Sequence, residues 1–344
     1  MSVIISSDER ELQVFVLRRW DIVKRESQSR PGVHDREQEA GLAVSEDHLS
    51  PCRTWIMASR PKTLPAAIAP VLVGSAYAYS MGGFQWATAL AAFLVAVWIQ
   101  IGTNLHNDVV DFERGTDTDD RLGPTRVTQA GLLSPGQVHR GAWLSFGLAG
   151  LAGLYLAWVA GWVALILGTA SILAGMAYTA GPYPLSRIGL GDLFVMLFFG
   201  YVALCGTVFV HLGVVPLPAW WWALSVGATI TALLDVNNIR DMETDRRAGR
   251  RTLPVAFGHT AAIVELVILE AAAYLAPVGL VVAGNASPWV LIVGLSAPLP
   301  MRLLRMVMHE RGRALNKALA LAGQWILAYA SLLSLGLVMA GIGG

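Results

Sequence analysis

Residues 87–117 read ATALAAFLVAVWIQIGTNLHNDVVDFERGTD. The first two-thirds is apolar and about as long as a helix needs to be to cross a bilayer, roughly 20 residues. The remainder is polar. Asn104, Asn107, Asp108 and Asp111 stand at i, i+3, i+4 and i+7, so on a helix they share one face. A membrane span that runs directly into a stripe of amides and carboxylates sets the class: an all-α, polytopic membrane protein whose chemistry sits at the end of its helices.

Residues 219–245, AWWWALSVGATITALLDVNNIRDMETD, repeat the arrangement. Asn237, Asp241 and Asp245 fall at i, i+4 and i+8. Asn107-xxx-Asp111-x-Glu113 recurs as Asn237-xxx-Asp241-x-Glu243, 130 residues later. The match implies a pseudo-symmetric bundle with two facing carboxylate clusters. The plainer alternative is a pair of solvated acidic loops, and the matched spacing weighs against it. Asp119, Asp120 and Glu113 read better as solvated residues than as ligands.

The whole chain supports the class. Of its 344 residues 55% are hydrophobic and 14% charged, with mean hydropathy +0.54; a soluble domain carries about 25% charged residues. Twenty of the Lys, Arg, Asp and Glu residues fall within the first 62 positions. Residues 1–52 form a polar N-terminal extension, expected to be disordered or loosely helical, with a short interfacial helix near Leu12–Val23 as the alternative. Met57 is an alternative start. Residues 53–344 form the membrane domain. A net charge of +1 gives no electrostatic footprint for nucleic acid. Cys52 and Cys205 support neither a disulfide framework nor a zinc site.

Nine spans are expected: 64–82, 87–107, 138–158, 162–180, 191–211, 219–239, 260–283, 288–308 and 317–341. Alternate loops lack charge and carry Trp86, Trp158, Trp162, Trp220, Trp221, Trp222 and Trp289, an aromatic belt. The opposite loops carry the arginines, among them Arg114, Arg121, Arg126, Arg187, Arg246, Arg250 and Arg311. The positive-inside rule puts the N-terminus and the arginine loops in the cytoplasm and the C-terminus outside. Both acidic segments then face the cytoplasm, at the mouth of a central cavity.

Bare carboxylates at this spacing repel one another. Mg²⁺ neutralises such clusters, taking one or two carboxylates and filling its shell with water and phosphate oxygens. Arg60, Lys62, Arg121, Arg126, Arg240 and Arg246 are candidates to neutralise a diphosphate held there. A diphosphate at the surface above an apolar cavity suits an isoprenoid diphosphate. Departure of the diphosphate leaves an allylic cation, which a dry cavity protects and aromatic faces stabilise.

At this point a resemblance is specific. Arg60-Pro-Lys-Thr-Leu-Pro65, Asn107-Asp-x-x-Asp111-x-x-x-Gly-Thr-Asp117, Gly123-Pro-Thr-Arg126, Gly131-Leu-Leu-Ser134, Tyr178-Thr-Ala-Gly181, Gly189-Leu-Gly-Asp192 and Asn237-Asn-Ile-Arg-Asp-Met-Glu-Thr-Asp245 resemble, in order and spacing, the UbiA superfamily of intramembrane aromatic prenyltransferases. The closest likeness is to its 1,4-dihydroxy-2-naphthoate polyprenyltransferase branch, over residues 52–342. The resemblance implies metal-binding and catalytic roles for Asn107, Asp111, Asp117, Asp241 and Asp245. Gly115 stands where the widespread first motif has its last acid, and Asp117 follows two residues later, as in the naphthoate branch. It further implies that Lys62, Arg126, Arg240 and Asn238 meet the diphosphate and that Tyr178 lies near the acceptor. The implied cofactor is Mg²⁺. The implied reaction joins an all-trans polyprenyl diphosphate to 1,4-dihydroxy-2-naphthoate, losing diphosphate and CO₂ to give demethylmenaquinol, at the cytoplasmic (plasma) membrane. Other aromatic acceptors remain alternatives.

Glu265 and Glu270 lie within a span and are read as protonated or hydrogen-bonded structural groups. Asp192 is read equally as a helix-start or a catalytic residue. The Gly147–Gly153 run is expected to allow close helix packing. A transporter is the rival from another class, but the acids gather at one surface rather than at the midplane.

Overall fold

A computed structural model describes residues 50–115, 122–123, 126–181 and 184–343. Asp117, Asp119, Asp120 and Arg121 lie outside the described residues, as do the expectations for residues 1–49. Nearly all the described residues fall in one compact unit, Cys52–Gly344, and none is in a strand.

The helices follow the apolar segments closely. α1 (Pro51–Ser59) leads through a 3-10 turn at Pro61–Thr63 into α2 (Leu64–Ser80). Then come α3 (Trp86–Glu113), α4 (Pro135–Ala160), α5 (Trp162–Thr179), α6 (Gly191–Leu212), α7 (Leu217–Arg247), the short α8 (Leu253–Phe257) and α9 (His259–Val282). A 3-10 stretch, Pro288–Ser296, runs into α10 (Pro298–His309), and α11 (Asn316–Ile342) closes the chain. Eight helical segments among the described residues are long and apolar enough to cross a membrane. The remaining expected span forms α2, a 17-residue helix at the short end of the spanning range. The protein is a multi-pass membrane protein.

Local chemistry sets several ends. Ser134 caps α4 by accepting from the Gln137 N–H at 3.3 Å, and Gln137 Oε1 returns to Ser134 N at 2.8 Å, a reciprocal cap. Gly161 alone links α4 to α5 at φ 80°, ψ −172°, a conformation open in practice only to glycine. α3 and α7 run well past the apolar segments, to Glu113 and Arg247. Asn107–Glu113 of the first acidic motif and the whole of the second are therefore helical.

The main core surrounds α7, whose Trp222, Val226, Ile230 and Val236 are buried against α9 and α11. This corrects one expectation. Trp86, Trp158, Trp162, Trp220, Trp221 and Trp289 are exposed, but Trp222 is wholly enclosed, because its position on α7 faces inward. The glycine run on α4 is a second correction: a Cβ on Gly147 or Gly150 would touch nothing, and one on Gly153 would only reach Val95. Close approaches occur on other helices instead, at Gly74, Gly336 and Gly341 and between α6 and α7. A Cβ on Gly200 would lie 2.9 Å from Ala223 O and 3.0 Å from Gly227 Cα. Around Gly200, residues Met196–Val202 widen into a π-helical turn.

Candidate active site

One cavity of about 580 Å³ opens where six helix ends meet. Arg60 and Lys62 precede α2, Asn107 ends the apolar part of α3, Tyr178 closes α5, Phe194 starts α6, Asn237 and Arg240 lie on α7, and Asn316 opens α11; all of them line it. The two acidic segments therefore share one mouth.

Below the mouth the wall is apolar and small. Ala164, Leu167, Gly168, Ser171, Gly175 and Tyr178 line it at helical spacing along α5, a depth of about 21 Å at 1.5 Å per residue. Near the mouth the Tyr178 ring lies 5.6 Å from that of Phe194, which lies 4.5 Å from Phe198.

The mouth is held by polar side chains acting across helices. Arg60 has φ 53°, the one positive value among the described non-glycine residues. Its turn is fixed from α3: Asn104 Nδ2 donates to Ser59 O at 3.0 Å and to Thr63 Oγ1 at 2.9 Å, and Gln100 Nε2 donates to Thr63 Oγ1 at 3.1 Å. Thr179 Oγ1 donates to Asn107 Oδ1 at 2.6 Å, which orients the amide and leaves the second lone pair of that oxygen open to a ligand. Arg114 ties the ends of α3 and α5 together, donating to Thr179 O at 2.5 Å and Gly181 O at 3.0 Å.

Each described aspartate expected to coordinate carries an arginine. Arg126 Nη2 lies 2.6 Å from Asp111 Oδ2, with both side chains buried. Arg240 grips Asp241 through Nε and Nη2 at 2.8 and 2.5 Å, reaches Asn237 Oδ1 at 2.8 Å and donates to Asn316 Oδ1 at 3.0 Å. Arg250 Nη1 lies 3.3 Å from Asp245 Oδ1. Asp111, Asp241 and Asp245 stand just beyond the cavity wall, one turn or more past Asn107 and Asn237 on their helices. The structure also brings Asn237, not Asn238, to that wall; the Asn238 amide turns to Asp192 Oδ1 at 3.3 Å. Arg246 is exposed and pairs with Glu243 at 3.1 Å.

The donors suit a hard cation. They are carboxylate and amide oxygens, yet among the described residues no three of His, Cys, Asp and Glu converge tightly enough to hold a metal ion. A cation here would complete its shell with water and ligand oxygens, as Mg²⁺ does at phosphate sites.

Arg250, Asn316 and Thr179 are not among the site residues expected from the sequence; Arg250 is read there only as a loop arginine. Thr179 was adjacent to one, inside the Tyr178–Gly181 block. Asn316 is the polar residue before the last apolar run, a faint signal.

The family model for the UbiA prenyltransferase family matches residues 67–325. The chain belongs to the UbiA prenyltransferase family. Relatives within this family include the 1,4-dihydroxy-2-naphthoate octaprenyltransferase of Mycobacterium tuberculosis, 37% identical over 287 residues, covering 82% of this chain and 97% of the relative. The protein of that name from Bacillus subtilis is 32% identical, covering 82% and 91%. Human UbiA prenyltransferase domain-containing protein 1 is 32% identical, covering 61% and 62%. Two solved UbiA homologues share the fold. That of Aeropyrum pernix K1 gives a TM-score of 0.62 at 17% identity, covering 80% of this chain and 97% of that one. That of Archaeoglobus fulgidus bound to GPP and Mg²⁺ gives 0.57 at 14% identity, covering 82% and 99%.

Proposed function

We propose that this UbiA-family protein transfers an all-trans polyprenyl group from its diphosphate to 1,4-dihydroxy-2-naphthoate, releasing diphosphate and CO₂ and forming demethylmenaquinol. The observation that carries the reading is that Asn107 and Asn237, equivalent positions of the two acidic motifs, share the wall of one deep apolar cavity. The naphthoate-specific part rests on relatives of that name covering most of both chains.

Asn107, Asp111, Asp241 and Asp245, with Asp117, would hold Mg²⁺, which supplies charge to stabilise the departing diphosphate; the Mg²⁺-bound homologue supports this reading. Lys62, Arg60, Arg126 and Arg240 neutralise the diphosphate oxygens from the protein side. Asn237 replaces Asn238 as the amide that meets them. The prenyl chain lies along the small face of α5. The C1–O bond breaks with its electron pair leaving on the diphosphate. The aromatic faces of Tyr178, Phe194 and Phe198 stabilise the allylic cation, and the apolar wall keeps water from it. The ring carbon bearing the carboxylate attacks C1; loss of CO₂ returns the electron pair to the ring. The ring's own hydroxyls activate it, so the chain needs to supply little base catalysis.

The arginine-rich mouth faces the cytoplasm in this reading, with nine spans, a cytoplasmic N-terminus and the C-terminus outside the plasma membrane. The decisive experiment offers purified protein, Mg²⁺ and a polyprenyl diphosphate with dihydroxynaphthoate, 4-hydroxybenzoate or homogentisate in parallel. Quinol from the naphthoate alone supports the proposal. Product from another acceptor overturns the acceptor assignment, and no product from any acceptor overturns the activity.

A further inference from the structure

Asp108 lies in the first acidic motif, between Asn107 and Asp111, yet its carboxylate faces elsewhere. It is 2% exposed and is not part of the cavity wall. Oδ1 accepts the Thr128 backbone N–H at 3.2 Å and Oδ2 accepts that of Val127 at 3.3 Å. Oδ2 also lies 3.9 Å from Arg60 Nη2. Two successive backbone N–H groups meeting one buried carboxylate form charge-assisted bonds, stronger than neutral ones.

What those bonds fasten is a turn that carries Arg126. Within it Ala130 N donates to Arg126 O at 3.0 Å, and Leu132 N donates to Val127 O at 3.0 Å. Arg126 then reaches back to α3, to Asn107 O at 2.9 Å and Asp111 at 2.6 Å. On its other side Asp108 faces Arg60, whose backbone is held at positive φ. One carboxylate thus touches both the turn that carries Arg60, which lines the cavity, and the turn that carries Arg126, which pairs with Asp111 beside it.

We propose that Asp108 is a positioning residue: it fastens the Arg126 turn and the Arg60 turn to the end of α3, so that both guanidiniums meet the donor diphosphate. It is not a metal ligand, because both its oxygens face backbone N–H groups away from the cavity. The inference rests on the diphosphate reading above. Asp108→Asn preserves volume but turns an NH₂ group toward one of the two N–H donors, losing that bond and the charge.

The test combines kinetics with amide hydrogen exchange on the full-length protein. Asp108→Asn is expected to raise KM for the prenyl diphosphate about tenfold, the loss expected of one charge-assisted hydrogen bond. The acceptor KM and the Mg²⁺ concentration giving half-maximal rate stay as in the parent. Without substrates, exchange at Val127 and Thr128 accelerates. Adding Arg126→Gln to Asp108→Asn costs little beyond Arg126→Gln alone, because the two act through one group. Thr128→Pro, which removes a donor and leaves α3 intact, raises the donor KM in the same direction and serves if Asp108→Asn does not fold. Unchanged donor KM with unchanged exchange, a tenfold shift in Mg²⁺ requirement, or full additivity with Arg126→Gln would each overturn the proposal. Asp111→Asn separates the two claims: if it retains full turnover the diphosphate reading fails, whereas the exchange result stands independently of any reaction.

Discussion

Asp111 and Arg126 form a buried ion pair 2.6 Å long across the end of α3. Removing one member of such a pair leaves the other charge buried and typically costs about 3–5 kcal/mol. Asp111→Ala is therefore expected to lower the melting temperature as well as abolish turnover. Asp111→Asn keeps the shape and a hydrogen-bond acceptor. It should retain more of the stability while losing activity by on the order of 10²-fold or more. Thermal melts beside product assays separate the two effects; an Asp111→Asn protein with parental activity would remove Asp111 from the site.

Arg240 holds Asp241, Asn237 and Asn316 with one guanidinium. A lysine brings a point charge in place of this planar fork. Arg240→Lys should weaken donor binding and loosen the junction of α7 with α11, with a loss of about 1.5–3 kcal/mol for the charged hydrogen bonds it cannot remake. Chemical denaturation and the donor KM report the two consequences.

The Thr179 hydroxyl orients the Asn107 amide at 2.6 Å. Thr179→Val keeps the shape and removes the bond. Turnover is expected to fall roughly tenfold, equivalent to about 1.4 kcal/mol, and Thr179→Ser is expected to restore most of it. Equal rates in the parent and Thr179→Val proteins would show that the amide needs no such support.

Gly168 lines the cavity midway along α5, and a Cβ there would meet nothing within 4 Å. Gly168→Phe should leave folding intact and shorten the usable depth. Geranyl diphosphate would still react, while longer donors lose activity. An unchanged ratio of short-chain to long-chain rates would place the prenyl group elsewhere.

Gly200 and Gly227 bring α6 and α7 together. Gly200→Ala meets backbone rather than a flexible side chain, so it should destabilise by about 1–3 kcal/mol. Gly150→Ala on α4 faces open space and should be tolerated. Melting temperatures of the two variants decide the matter.

Much of the fold was legible because apolar length and helical period are local properties. Each expected span became helix, and the matched motifs reached one cavity. The losses came where the answer depends on what a helix packs against. Successive residues on a helix differ by about 100°; the resemblance pointed to Asn238, but Asn237 lines the cavity and the Asn238 amide turns to Asp192 on α6. Trp222 sits beside two exposed tryptophans and differs from them only in direction. The arginine partners were harder still: Arg250 meets Asp245 through a turn, and Asn316 meets Arg240 from 76 residues away. The glycine-rich run on α4 was conspicuous by composition, while glycines that do permit close approach, such as Gly200 and Gly227, lie singly on different helices.

The basic residues around the cavity entrance, Arg60, Lys62 and Arg240, bear on product release as much as on capture. In the proposed reaction the donor arrives bearing a diphosphate and the aromatic partner a carboxylate. The quinol that forms has neither. The same electrostatic attraction that retains the reactants loses its grip once the new carbon–carbon bond exists, and the uncharged lipid can diffuse away into the bilayer without any dedicated ejecting movement.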